Sequence, residues 1–166
     1  MTHDVGRLFE QYHAPLVRML WRRTGDRDRA EELAQETFAR ALESPPSNPR
    51  PWLFAVALNL VREDGRRATR QGRRLQLLKA ESPTTTPSPD DEFDRRERQA
   101  AVRAALGMLT ERDREALLLK AEGFSYDEIA ATLGLARGAI GTTLARARKR
   151  LVEAYRAGEG ERHAAS

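Results

Sequence analysis

The sequence predicts an all-α protein made of two small helical domains joined by a flexible linker, the C-terminal one containing a helix-turn-helix. Three observations predict it. Apolar residues recur at helical spacing through most of the chain; one proline-rich stretch between the halves loses that period; and near the C-terminus two short helical patterns meet at a glycine. Composition agrees, because 6% aromatic and 33% charged residues leave enough apolar material for modest helical cores and little for a large sheet-based one.

The first domain is expected over residues 1–74. Leu8, Tyr12, Leu16 and Leu20 recur at i, i+4 intervals and form one apolar stripe. Asp28 followed by Glu31 has the pattern of a capping box, opening a helix through "RAEELAQETFARALES" in which Leu33, Thr37 and Ala41 share a face. The segment "PPSNPRP" stops that helix, since prolines cannot continue it and bias their predecessors toward extended geometry. Pro51 suits the first helical position of "WLFAVALNLVREDGRR", which is apolar almost all round until Arg62 and therefore belongs in the middle of a bundle. Trp52, at the start of that helix, reads as a core residue.

A linker is expected over 75–94, where "ESPTTTPSPDDEFD" combines prolines, no helical period and an acidic end. The second domain is expected over 95–156. Val102, Leu106 and Leu109 make one stripe, Thr110 with Asp113 caps "ERDREALLLKAEG", and Gly123 ends it. Ser125 with Glu128 makes a capping box for "YDEIAATLG". Ala130 is small enough for a helix crossing, Gly134 can take a left-handed turn, and Ile129, Leu133, Leu135, Ile140 and Leu144 anchor both helices, which meets the demands of a helix-turn-helix. Ile140, Leu144, Ala147 and Leu151 continue as a buried stripe. Opposite them lie Gly138, Thr142, Ala145, Arg146 and Lys149, a face available to a major groove. The entry to this helix is weak, because Ala136 caps about 1 kcal/mol worse than serine and an interior Gly141 costs about 0.5–1 kcal/mol. Residues 157–166 are expected to form a disordered tail.

The net charge is +4 with a sequence pI of about 9.9. Arginine dominates the basic residues, and its planar fork of donors suits phosphate recognition. There is no cysteine, and His3, His13 and His163 lie near the chain ends, so no metal site, cofactor or catalytic triad is expected. Asp90, Asp91 and Glu92 are clustered acids in the linker and read as a solvated tether rather than a metal site. No apolar run reaches the length of a membrane span and the N-terminus has no signal-peptide core, so neither membrane insertion nor export is expected, and the expected location is the cytoplasm.

The stretches "AEELAQETFARA" with "PWLFAVALNLVREDGRR", followed after the linker by "LTERDREALLLKAEGFSYDEIAATLGLARGAIGTTLARARKRL", resemble the two conserved domains of extracytoplasmic-function (ECF) sigma factors of the sigma-70 family. The resemblance implies a subunit that binds core RNA polymerase, directs it to promoters and starts strand opening, with an anti-sigma factor as regulatory partner. It implies a polymerase contact at Glu32, Leu33, Gln35, Glu36 and Phe38, with Leu33 and Phe38 either shared with that contact or buried. It places minus-ten DNA, including the non-template single strand, at Asn48, Arg50, Arg62, Arg66 and Arg67. The loop Glu43 to Pro51 is several residues shorter than is common in the family, and Asn59 matches a recurrent family asparagine better read as structural. Minus-thirty-five duplex falls to Ser125, Tyr126, Arg137, Thr142, Arg146 and Lys149; Gly141 and Thr143 depart from the family, where basic side chains are common. The alternative is a dimeric helix-turn-helix regulator that never joins polymerase.

Overall fold

The structure, a computed structural model, describes residues 4–70 and 90–165. Helix α1 spans Val5–Thr24, α2 Arg27–Glu43, α3 Pro49–Arg70, α4 Asp90–Gly107, α5 Glu111–Ala121 and α6 Tyr126–Leu133; a 3-10 turn, Arg137–Ala139, leads into α7, Ile140–Ala164. No strand occurs among the described residues. The expected linker lies outside the described residues up to 89, and its last five expected positions are instead the start of α4.

In the first half α1 packs on α2, and α3 packs on both. Leu8, Leu16 and Leu20 are buried as the stripe predicts, with Tyr12 partly buried against them. Asp26, not Asp28, caps α2: its carboxylate accepts from the Arg29 amide at 3.1 Å. The reason is upstream, because Gly25 closes α1 in the left-handed region at φ 73° and the next residue is already in position to cap. Glu31, the other half of the expected box, instead pairs with His13 at 3.3 Å. Helix α3 starts two residues before Pro51, at Pro49, and its Leu53, Phe54, Ala57 and Leu58 are buried, as its apolar character requires. Trp52 is partly buried against that core.

In the second half α4 and α5 pack on α7, and α6 bridges α5 and α7. Thr110 caps α5 as expected, its hydroxyl accepting from the Asp113 amide at 3.3 Å. Leu106 and Leu109 are buried, but Val102 is 41% exposed and does not belong to their stripe. The segment 157–166 is not a separate tail: α7 runs through it to Ala164, with the Arg162 guanidinium 5.6 Å from the Tyr155 ring. Two glycines there lower helix propensity, but no proline interrupts the run.

The halves do not stand apart. Helix α3 packs against α6 and α1 against α5, so one buried apolar cluster includes residues of both. Its seam is Phe54 against Phe124, both fully buried, with ring centroids 4.8 Å apart in an edge-to-face contact. Replacing Phe124 with alanine is expected to cost about 3–5 kcal/mol, as for other buried phenylalanines. Because the core is shared, urea unfolding followed by circular dichroism and by tryptophan fluorescence should give coincident transitions; two separate transitions would contradict it.

Candidate nucleic-acid interface

The helix-turn-helix is built by local chemistry. Ser125 and Glu128 close a reciprocal capping box, the serine amide donating to Glu128 Oε1 at 3.0 Å and the Glu128 amide to Ser125 Oγ at 3.1 Å. Gly134 takes the left-handed turn at φ 66°, and the Leu135 amide donates back to the Ala130 carbonyl at 3.0 Å. The entry to α7 is the weak point the sequence anticipates: Ala136 gives the 3-10 turn no side-chain cap, and none is made at the start of α7 either. Ile140, Leu144 and Ala147 are fully buried. Thr143 is buried too, its hydroxyl donating to the Ala139 carbonyl at 2.7 Å, so a basic side chain at that position would have to displace packing.

The structure brings Ser125, Tyr126, Arg137, Thr142, Arg146 and Lys149 onto the exposed part of this motif. Two of its cations are already oriented. Arg137 Nε lies 2.7 Å from Asp127, an exposed pair. Arg146 is held from beneath by Asp113, whose side chain is 0% exposed: Nη2 donates to Oδ1 at 2.8 Å, and Arg150 Nη1 donates to Oδ2 at 3.2 Å. The Arg146 hydrogen bond, chiefly, holds the Asp113 carboxyl below its ordinary pKa. The sequence pattern shows Asp113 only as part of the Thr110 cap and carries no sign of this clamp. Asp113, Arg146 and Arg150 are 33 and 37 residues apart, so helical spacing alone gave no signal of it.

In the first half the polymerase candidates divide. Glu32, Gln35 and Glu36 are exposed on α2, whereas Leu33 and Phe38 are buried in the bundle at 0% and 5% exposure, so the outward contact set loses those two. Glu32 pairs with Arg29 at 2.8 Å and Glu36 with Arg40 at 3.3 Å. Arg29 also grips Asp64 through two bonds, 2.6 and 2.5 Å, which fixes α2 on α3.

The minus-ten candidates divide as well. Asn48, Arg66 and Arg67 are exposed at the two ends of α3. Arg50 and Arg62 are half-buried and turned onto the second half. Arg50 donates to Glu128 Oε2 and to the Glu122 carbonyl, each at 2.8 Å, and its guanidinium lies 4.1 Å from the Phe124 ring. Arg62 forks onto Glu115 through Nε, at 2.8 Å, and Nη2, and donates to Asn59 Oδ1 at 2.7 Å, giving Asn59 a structural partner. A third connection joins Arg18 and Arg22 of α1 to the Glu122 carboxylate at 2.6 and 3.1 Å.

Residues 8–71 match the family described as Sigma-70 region 2, and residues 99–151 match Sigma-70, region 4. The chain is 39% identical over 139 residues to the ECF RNA polymerase sigma factor EcfG of Rhodopseudomonas palustris, covering 77% of this chain and 72% of the relative. It is 30% identical over 154 residues to the RNA polymerase sigma factor YlaC of Bacillus subtilis, covering 87% of each. Among solved structures it resembles CnrH in complex with the cytosolic domain of CnrY, at TM-score 0.67 and 26% identity over 92% of this chain and 88% of that one. It also resembles the sigma factor RpoE of Bartonella quintana in complex with the anti-sigma factor NepR, at TM-score 0.63 and 28% identity over 92% and 97%.

The clamp under α7 has a pH signature. With the Asp113 carboxyl lowered in the folded chain, its contribution is complete above the ordinary carboxylate range near pH 4 and is lost as pH falls through the lowered value. Asp113→Asn should therefore destabilise the chain at pH 7 by about 1.5–3 kcal/mol, the range for hydrogen bonds to a charged group, since the arginines left behind are 43% and 50% exposed and keep their water, with the difference from wild type shrinking in acid. Urea unfolding at pH 7 and pH 3 checks both; a difference independent of pH would contradict the clamp.

Proposed function

The chain belongs to the ECF RNA polymerase sigma factors, and from that premise we propose how its surfaces divide the work of initiation. Glu32, Gln35 and Glu36 on the outward face of α2 meet core RNA polymerase. Arg50, Arg62, Arg66 and Arg67, with Asn48 at the entry to α3, hold minus-ten DNA as the strands part, mainly through phosphates, whose neutralisation offsets part of the cost of unstacking bases. Ser125, Tyr126, Arg137, Thr142, Arg146 and Lys149 meet the minus-thirty-five duplex. The solved relative RpoE is complexed with the anti-sigma factor NepR, and a partner of that class is proposed here too, with the cytoplasm as its meeting place. No described helix is long and apolar enough to cross a membrane.

The observation that carries this reading is the exposed basic face of a capped helix-turn-helix, following a region 2 bundle on one chain. The uncapped entry to α7, with Gly141 and a buried Thr143, supports weak duplex binding by this motif alone, with Arg137, Arg146 and Lys149 attracting backbone and Thr142 adding limited base contact. The first half and core polymerase supply the remaining affinity.

Run-off transcription with purified core enzyme and no other sigma factor is expected to give discrete start sites; a chain that shifts duplex DNA but never loads onto core would fail the reading. Gly141→Lys tests the reading helix itself. A Cβ there meets only the Tyr126 ring, at 3.6 Å, so a side chain fits. The variant should bind promoter duplex more tightly and steepen the salt dependence by about 0.9 in log–log slope, for one more phosphate neutralised. An unchanged slope would contradict the placement of position 141 against DNA.

A further inference from the structure

Away from every residue assigned to polymerase or promoter, a cavity of about 560 Å³ opens between α1 and α4. Small-molecule sites span roughly 300–1,000 Å³. Helical spacing builds this one. On α4, Arg95, Arg98, Gln99, Val102 and Leu106 fall on one face at i, i+3, i+4, i+7 and i+11, and on α1 Arg18, Trp21 and Arg22 follow the same rule. Val102, which stands outside the buried stripe of Leu106 and Leu109, is therefore part of the cavity floor. It and Trp21 are each 41% exposed.

Five guanidinium groups surround that apolar floor, those of Arg18, Arg22, Arg95, Arg98 and Arg103. Arg18 and Arg22 share the Glu122 carboxylate. Arg95, Arg98 and Arg103 make no ion pair or hydrogen bond among the described residues. Arg103 is placed by packing instead: its Nε would lie 3.1 Å from a Cβ at Gly25, so it crosses the glycine that closes α1. A further cation, Arg27, lies 5.7 Å from the Trp21 ring. One carboxylate against five guanidinium groups leaves the cavity strongly cationic.

We propose that this cavity is a binding site for a nucleotide carrying two or more phosphates, with the base against Trp21 and Val102 and the phosphates among Arg95, Arg98 and Arg103. A base needs a flat apolar contact, and phosphates need forked, charged donors. The cavity supplies both side by side, and Gln99 adds an amide that can pair with a base edge. An acidic helix from a protein partner fits less well. Its carboxylates would be spread along one face about 5.4 Å apart, whereas the guanidinium groups here gather around one compact space. The occupant touches α1 and α4 together, so its binding stabilises the folded chain.

The test is isothermal titration calorimetry of the full chain with ATP, GTP and inorganic triphosphate, at physiological ionic strength so that diffuse surface attraction is screened. ATP or GTP is expected to bind, to quench tryptophan fluorescence and to raise the melting temperature with concentration. Arg95→Ala with Arg98→Ala should weaken that binding about tenfold or more, as expected when charge-assisted hydrogen bonds are lost. Both positions are exposed, and circular dichroism checks the fold. Arg148→Ala with Arg156→Ala removes the same charge from exposed positions of α7 and should leave affinity unchanged. Trp21→Ala should weaken ATP or GTP and leave inorganic triphosphate unaffected. Absence of binding by ATP and GTP overturns the site, as does an equal loss in both arginine double variants, which would reduce it to general charge attraction. Inorganic triphosphate binding as tightly as ATP, with no effect of Trp21→Ala, overturns the nucleotide in favour of bare polyphosphate. A glutamate-rich helical peptide that binds through Arg95 and Arg98 where ATP does not overturns it in favour of a protein partner.

Discussion

The guanidinium of Arg50 is the constraint around which the two halves are arranged. One terminal nitrogen caps the end of α5 through the Glu122 carbonyl, the other reaches the Glu128 carboxylate of the α6 capping box, and the plane lies over Phe124. A single side chain from the start of α3 thereby connects the end of one helix, the start of the next and the apolar seam between the halves. Glu128 answers to the same arrangement: hydrogen bonding to the Ser125 backbone and then to Arg50 lowers its pKa, so the capping box and the contact between halves share one carboxylate.

Burial decides which of the surrounding charges matter. Glu36–Arg40 and Arg137–Asp127 are exposed pairs of the kind worth little in water. Glu115, Glu122 and Asp113 are nearly inaccessible, and a buried carboxylate stripped of its cation costs several kcal/mol. Asp113 takes its cations, Arg146 and Arg150, from within the second half, so the support of α7 is internal to that half. Glu115 and Glu122 take theirs from the first half, so their stability depends on closure.

Local chemistry made most of the fold legible in the sequence. The stripe of Leu8, Leu16 and Leu20, the Thr110 cap, the Ser125–Glu128 box and the Gly134 turn all depend on residues within a few positions of one another, and helical period or capping pattern reveals them. Asp28 was the natural choice for a cap until the left-handed Gly25 moved the boundary to Asp26, since two acids at i and i+2 look alike without the preceding turn. Exposure of the reading face of α7 followed from the buried stripe opposite it. The bonds Arg62–Glu115, Arg50–Glu128 and Arg18–Glu122 could not be read in the same way. Their partners are 53, 78 and 104 residues apart across a linker whose composition pointed to independent domains. Arginines that suit phosphate suit carboxylate equally, so residue type alone could not say which they meet in the free chain.

Because Arg50 and the shared apolar core hold the halves together, the separation of the halves is the quantity to follow. The chain has no cysteine, so a pair introduced at the exposed positions Ser44 and Glu153 can be labelled cleanly for single-molecule energy transfer. The account predicts one narrow, high-transfer population for the free chain at low salt. A broad, low-transfer distribution for the free chain would contradict it.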